Sequence, residues 1–231
     1  MPESLHMIEL PLDPEALIRF AQDHGVNRNQ DEDLGYALHA WLNALLPDRA
    51  PKPFRLLRGR RPRLLGYTTH AADRLLEYAE TYATPQAAAV TNIRYLANAK
   101  LMPRSWRSER VLGFEVLLCP TSRLHGSEKD RYRHLVEHLE PGEPRPSREE
   151  VYRDWLEKQF ADAARLKSTR MERFQFVSHY RQGLKIKLDR PQALFRGILK
   201  LRDSDAFTKL LSRGVGRHRA FGYGMLLLRP M

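Results

Sequence analysis

The sequence predicts an α+β protein made of two tandem βαββαβ-like units, on three observations. Short apolar runs of strand length recur through the chain, helix-like segments with start signals stand between them, and both kinds occur in each half in an order compatible with two such units packed together. The 231 residues allow one large domain or two small ones, and we place the two at residues 1–106 and 107–231.

The first unit opens with a strand at 5–11 (LHMIELP), after which Asp13 and Pro14 supply the cap and first-turn proline of a helix running to Gly25. Beyond the polar stretch Asn27–Asp33, a second helix at 34–46 (LGYALHAWLNALL) is stopped by Pro47. Strands at 54–57 and 64–69 flank the basic turn RGRRPR, and 71–83 is a third helix. The second unit starts with the apolar strand 111–119, closed by Pro120. Residues 124–147 are charged and punctuated by Pro and Gly, which marks an excursion rather than a core element. Ser147-Arg148-Glu149-Glu150 is a capping-box pattern opening a helix through 151–166 (VYRDWLEKQFADAARL). Strands follow at 172–180, 184–191 and 194–201, the first pair joined by a turn at Arg181-Gln182-Gly183, then a helix at 204–214 and a last strand at 221–230.

Composition narrows the function. Lysine and arginine number 39 against 28 acids, a net charge of +11, so a polyanion is the expected partner. The single cysteine, Cys119, lies in an apolar run and reads as a buried thiol, which excludes an intrachain disulfide and cysteine-based zinc frameworks. The N-terminus carries acids where an export signal needs a basic start and an apolar segment, and no apolar run approaches the ~18 residues of a membrane span. The expectation is a cytoplasmic protein with no membrane contact.

The most distinctive motif is the glycine cluster from Gly214 to Gly224, GVGRHRAFGYG. It lacks the Gly-Lys-Ser/Thr of a Walker loop, and it follows a helix and opens a strand, the reverse of a dinucleotide fingerprint. What remains is a loop whose glycines let backbone amides approach phosphates while Arg213, Arg217 and Arg219 supply charge. On the second helix Leu34, Leu38, Trp41, Leu42 and Leu45 form one apolar stripe, leaving Tyr36, His39 and Asn43 together on the opposite, polar face. Histidine has the unperturbed pKa best suited to proton transfer near neutrality. His134 and His138 stand at i and i+4, but in a heavily charged segment with no third ligand evident, and read as a solvated helix; no metal or cofactor is expected. Basic residues interleave with aromatic ones around Phe54 (Arg55, Arg58, Arg60, Arg61, Arg63), around Trp106 (Lys100, Arg104, Arg107, Arg110) and around Phe174, Phe176 and Tyr180 (Arg173, Arg181, Lys185, Lys187). Such mixtures suit phosphates and stacked bases, and scattered Arg and Lys suit the shape and backbone of an RNA hairpin.

With these residues in view, the chain resembles the CRISPR repeat-processing endoribonucleases of the CasE type, members of the RAMP superfamily with two ferredoxin-like (RRM-like) domains. Residues 194–230 look like that family's closing strand, helix, glycine-rich loop and strand. The helix EEVYRDWLEKQFADAARL and the strand ending Cys119-Pro120 with nearby Arg123 also fit, whereas residues 50–110 resemble the family only in element order. Most specific is Tyr36-Ala-Leu-His39, similar to the Tyr-x-x-His the family places near its catalytic centre. Some relatives, including those of minimal type IV systems, cleave without this arrangement, and in such a variant arginines would carry the work.

The resemblance implies metal-independent cleavage of precursor RNA at the repeat stem-loop: the 2′-OH attacks the scissile phosphate, leaving a 2′,3′-cyclic phosphate and a 5′-OH. His39 would move a proton, as neutral base toward the 2′-OH or as charged acid toward the 5′-oxygen, with Tyr36 orienting ribose or phosphate. RNA contacts are expected from Arg213, Gly214, Gly216, Arg217, His218, Arg219 and Gly222 in the loop, Arg173, Arg181, Lys185 and Lys187 in the hairpin, and Arg104 and Arg107. The enzyme would stay on its crRNA hairpin and join other subunits of a CRISPR effector complex. Two competing readings are a non-catalytic RNA-binding subunit of the same superfamily and a general structured-RNA-binding protein.

Overall fold

The computed structural model describes residues 4–26, 34–124, 127–180 and 187–231. The chain runs β1 (His6–Pro11), α1 (Pro14–Asp23), α2 (Gly35–Leu45), β2 (Phe54–Leu57), β3 (Arg63–Thr68), α3 (Ala72–Tyr82), a short α4 (Pro85–Ala88), a 3-10 turn (Ile93–Asn98) and β4 (Lys100–Leu101). It continues with β5 (Val111–Leu118), the hairpin β6 (Thr121–Leu124) and β7 (Ser127–Asp130), α5 (Arg131–Val136), α6 (Arg148–Phe160), β8 (Ala164–Tyr180), β9 (Lys187–Leu201), α7 (Ser204–Arg213), a 3-10 turn (Arg219–Phe221) and β10 (Leu226–Pro230). Two four-stranded sheets result, ordered β2-β3-β1-β4 and β10-β5-β9-β8, with antiparallel pairing between neighbours. Counting strands within each sheet, both read 4-1-3-2, the order of two tandem ferredoxin-like units.

Local chemistry accounts for the helix starts. Asp13 Oδ1 accepts from the amides of Glu15 and Ala16, with Pro14 at the first position of α1, and Ser147 and Glu150 form the complete capping box of α6. Strand alternation then decides which core each side chain joins. Along β1 and β3, Ile8, Leu10 and Leu64 face α1, α2 and α3, while Leu65 and Tyr67 face the other way, into the core of the second sheet with Phe114, Phe195 and Phe207. Tyr67 donates its hydroxyl to the Leu226 carbonyl at 2.9 Å, and burial pushes its pKa up. The first sheet is thus covered on both faces, by its own helices and by the second unit. Cys119 is buried, and no helix among the described residues is long and apolar enough to cross a membrane.

Four expectations are corrected. The helix expected through 166 ends at Phe160, because the Ala163 carbonyl accepts from Arg202 (3.0 Å) and Ala164 pairs with Leu201, so strand pairing wins over the helix preference of the alanines. Residues 184–186 lie outside the described residues, and over the described ones the strands expected at 184–191 and 194–201 join in one strand, β9 from Lys187 to Leu201. Pro191 does not split it because β5 pairs only as far as Ala193, leaving no ladder on that side for the missing N–H to break. The last strand begins at Leu226 rather than at residue 221, since Gly222 and Gly224 have positive φ. The excursion after Pro120 holds β6, β7 and α5, and it is tied down: buried Asp130 is ion-paired to Arg148 at 2.5 Å and accepts from the Tyr152 hydroxyl at 2.6 Å. The stretch 27–33 and the turn Arg181-Gln182-Gly183 lie outside the described residues.

Because the cores meet through Leu65 and Tyr67, both halves should unfold in one transition in urea, monitored by fluorescence and by circular dichroism. Tyr67→Phe leaves the buried Leu226 carbonyl without its donor and should lower stability by about 1–3 kcal/mol; separate transitions for the two halves would contradict the shared core.

Candidate active site

The rotation of α2 is fixed by its apolar side. Leu38, Trp41, Leu42 and Leu45 are buried, and the Trp41 indole donates to the Ala87 carbonyl at 2.9 Å. Tyr36 is therefore exposed, with His39 and Asn43 half-buried beside it, as the stripe predicts. Asn43 Nδ2 donates to the His39 carbonyl at 2.8 Å and lies 3.2 Å from the imidazole nitrogens. Burial, followed by the nearby charge of Lys52, holds the His39 pKa below the ordinary 6.5. The neutral ring, the form that can accept a proton, is favoured.

The glycine-rich loop reaches this helix from the other unit. Gly214 ends α7 with φ 74°, and a Cβ there would stand 2.9 Å from Pro53. At Gly224, φ 79°, a Cβ would come within 2.3 Å of the Val215 carbonyl, so only glycine lets the chain return. The amides of Gly214, Val215, Phe221 and Gly224 donate to carbonyls inside the protein. These four amides are already engaged, and Gly214, Gly216 and Gly222 allow close packing against Pro53, Trp155 and Phe54 respectively. The loop's product is the placement of Phe221.

Four polar groups surround that ring. Its centroid is 6.3 Å from Tyr36, stacked at 11°, 5.0 Å from His39 and 6.2 Å from His218; the Arg190 guanidinium is 6.0 Å away. His218 adopts a left-handed conformation, φ 60° and ψ 28°. Its Nε2 lies 2.5 Å from Glu128 Oε1, which also accepts from the Thr121 hydroxyl at 2.5 Å and pairs with Arg217 Nε at 3.3 Å. Burial opposes the charge on Glu128, but hydrogen bonds from His218 and Thr121, with the charges of His218 and Arg190, bring its pKa down to about 2.

Beside Phe221 and Gly222 opens a cleft of about 380 Å³ lined by Arg55, Arg58, Arg173, Gln175, Gln192 and Tyr223, among others. Arg55 is 8% exposed and reaches Glu115 at 3.6 Å, yet its Nε has no hydrogen-bond partner. Burial is the main cause lowering its pKa to about 10; Glu115 opposes the shift and Arg173 adds to it. Glu115 also accepts from Arg196 Nε at 2.7 Å. Three guanidiniums converging on a cleft between two sheets suit a phosphate-bearing ligand.

Tyr36, His39, Arg217, His218, Arg219 and Gly222 are thus brought to one place with Arg173 on the adjoining cleft. Arg217 turns to Glu128, and Arg219 donates to the Arg213 carbonyl. Arg104 and Arg107 are not part of it. They flank Trp106, which packs on Phe207 near the start of α7, and the ten-residue helix separates them from the loop by roughly 15 Å. Arg181 and Lys185 lie outside the described residues, and Lys187 pairs with Tyr180 in the β8–β9 ladder. Sequence reasoning missed Phe221, Arg190 and Glu128, and named Arg55 and Arg58 only as members of a basic cluster around Phe54 suited to phosphates and bases. The legible signal was Phe221, a large apolar residue inside an Arg- and Gly-rich loop. The ligand atoms of His134, Glu137 and His138 lie within 4.8 Å of one another on exposed α5, where Glu137 is paired with Lys129.

Among solved structures, the chain is similar to the CRISPR endoribonuclease Cse3 bound to a 19-nucleotide RNA, at 19% identity, covering 98% of this chain and 100% of that one, with a TM-score of 0.67. It is also similar to the CRISPR-associated protein Cas6e from Escherichia coli K-12 (18% identity, 98% and 100% coverage, TM-score 0.60) and to a chain of a CRISPR RNA-guided surveillance complex (16% identity, 98% and 100%, TM-score 0.56). No curated protein matches it. A family model described as "CRISPR associated protein" matches residues 5–230, nearly the entire chain and every residue of the site just described, and so the chain belongs to the CRISPR-associated protein family.

Proposed function

We propose that this protein is an endoribonuclease that cleaves CRISPR precursor RNA at the repeat stem-loop and stays on the resulting crRNA hairpin. One observation carries the reading: the polar face of α2 and the glycine-rich loop, from different units, meet at Phe221 beside a cleft lined by Arg55, Arg58 and Arg173. The architecture shared with Cse3, described bound to RNA, supports it, and the likeness to a chain of a surveillance complex supports assembly with other CRISPR subunits. The division into domains at residues 106 and 107 rests on sheet membership, since one sheet ends with β4 and the other starts with β5.

In this mechanism the RNA backbone crosses Phe221 with the scissile phosphate near Arg190. Neutral His39 takes the proton of the 2′-OH, whose oxygen attacks the phosphate in line. Tyr36, stacked on Phe221, orients the ribose, and the arginines stabilise charge developing on the phosphoryl oxygens. Products are a 2′,3′-cyclic phosphate and a 5′-OH. The lowered pKa of His39 favours the base among the two roles the sequence leaves open.

Incubation of purified protein with repeat RNA in EDTA tests the reading. Cleavage with those end groups is expected; tight binding without cleavage indicates a non-catalytic subunit, and indifference to the repeat a general RNA binder. His39→Ala should slow single-turnover cleavage by about 10²–10⁴-fold with RNA affinity and thermal melt unchanged. A base works only while unprotonated, so the rate should fall as pH drops through the pKa of His39. That limb should lie below pH 6.5, and Lys52→Ala should move it upward by removing the adjacent positive charge. Arg58→Ala with Arg173→Ala should weaken repeat binding and reduce its salt dependence by about 0.7 in log–log slope per lost single-strand phosphate contact, measured by anisotropy across a salt series. An unchanged slope would place the RNA elsewhere.

A further inference from the structure

His39 can account for one of the two proton transfers this reaction requires. We propose that His218, held by Glu128, is a second catalytic residue and donates the proton to the departing 5′-oxygen. The inference rests on the ribonuclease reading above and deepens it.

The geometry comes first. The His39 and His218 rings lie 5.0 Å and 6.2 Å from the same Phe221 centroid, so they are separated by no more than the sum of those distances. Each comes from a different unit. The phenylalanine they share offers a surface on which a base or ribose can rest, with the Arg190 guanidinium 6.0 Å from its centroid. An attacking and a departing oxygen stand on opposite sides of the phosphorus in an in-line displacement, so an acid and a base on different elements are what the reaction requires.

Chemistry then fixes the state of His218. Glu128 remains ionised down to about pH 2, and a carboxylate only accepts hydrogen bonds. The contact at 2.5 Å therefore makes Nε2–H the donor and leaves Nδ1 as the atom that can meet a substrate oxygen. A carboxylate that fixes the orientation and tautomer of a catalytic imidazole is the arrangement of the serine-protease dyad. His218 also sits in the left-handed region, which few residues but glycine adopt and which histidine and asparagine enter more readily than most. Its side chain is only 11% exposed, unlike a surface cation that sweeps for phosphates.

The step balances. The 2′-oxygen forms its bond to phosphorus as its proton passes to His39; the P–O5′ bond breaks as the Nδ1 proton of imidazolium His218 passes to O5′. The cyclic phosphate and 5′-OH leave with His39 protonated and His218 neutral, and solvent restores both. Glu128 acts through His218 and is a positioning residue.

A sulfur-for-oxygen substrate isolates the step. When a bridging sulfur replaces the scissile O5′, the thiolate departs without needing a proton, so loss of the acid no longer matters. His218→Asn is the variant to use, because asparagine tolerates the left-handed region. Single-turnover cleavage of ordinary repeat RNA by His218→Asn should fall about 10²–10⁴-fold, while the 5′-thio substrate is cut at nearly the parental rate; His39→Ala should be slow on both. Glu128→Gln should show a smaller loss with the same rescue, and RNA affinity should hold for all three. Parental activity of His218→Asn on ordinary RNA, or equal slowing on both substrates, would overturn the assignment, and slowing accompanied by weakened binding would make His218 an RNA contact instead. A parental protein that cuts neither substrate removes the ribonuclease reading itself, and with it the role of His218.

Discussion

The site exists because one loop passes through a gap that admits no side chains. Between the end of α7 and the start of β10 the chain must double back against the Val215 carbonyl, clear Trp155, and lie on Pro53 and Phe54 of the other unit. Glycines at 214, 216, 222 and 224 make that passage possible, and their positive φ values set the direction in which the intervening residues project. Phe221 and His218 owe their positions to this path. So does the cleft, whose wall is formed where the loop emerges.

Charge is the second organising force. A chain with a net charge of +11 that gathers arginines at one junction must offset their repulsion before any RNA arrives. Two carboxylates do so from β5 and β7. Glu115 spans Arg55 and Arg196, and Glu128 gathers Arg217 and His218. The offset at Arg55 is incomplete, since its buried Nε is unmet, and the residue lines the cleft. At His39 burial, with the charge of Lys52 added to it, lowers the pKa and favours the neutral ring.

The fold was largely legible because most of its elements carry their own signals: the caps at Asp13 and Ser147, the apolar stripe of α2, the strand runs at 54–57 and 111–118. The errors arose where tertiary pairing overrides local preference, as at Ala161–Leu166, whose alanines favour helix until Leu201 offers Ala164 a partner. Within the site, Tyr36 and His39 could be read because they lie on one face of one helix. Arg190 and Glu128 could not, since they meet the glycine loop only after β7 and β9 come together with it across long stretches of chain. Arg104 and Arg107 lie away from this site. Basic residues near a tryptophan look alike in sequence whether the indole faces a ligand or, as with Trp106, buries itself on Phe207.

The double coverage of the first sheet also bears on how the protein is made. As the nascent chain leaves the ribosome, β1, β3 and their helices can assemble early, and Ile8, Leu10 and Leu64 are shielded at once. Leu65, Tyr67 and Met102 belong to the core completed by β5, β9 and α7, and they stay wet until more than a hundred further residues have been synthesised. The half-made protein therefore carries an apolar sheet face with no cover, the kind of surface that recruits chaperones or neighbouring chains. Strand β10 carries the Leu226 carbonyl that receives the Tyr67 hydroxyl, so the buried polar contact between the halves closes only once β10 has been made.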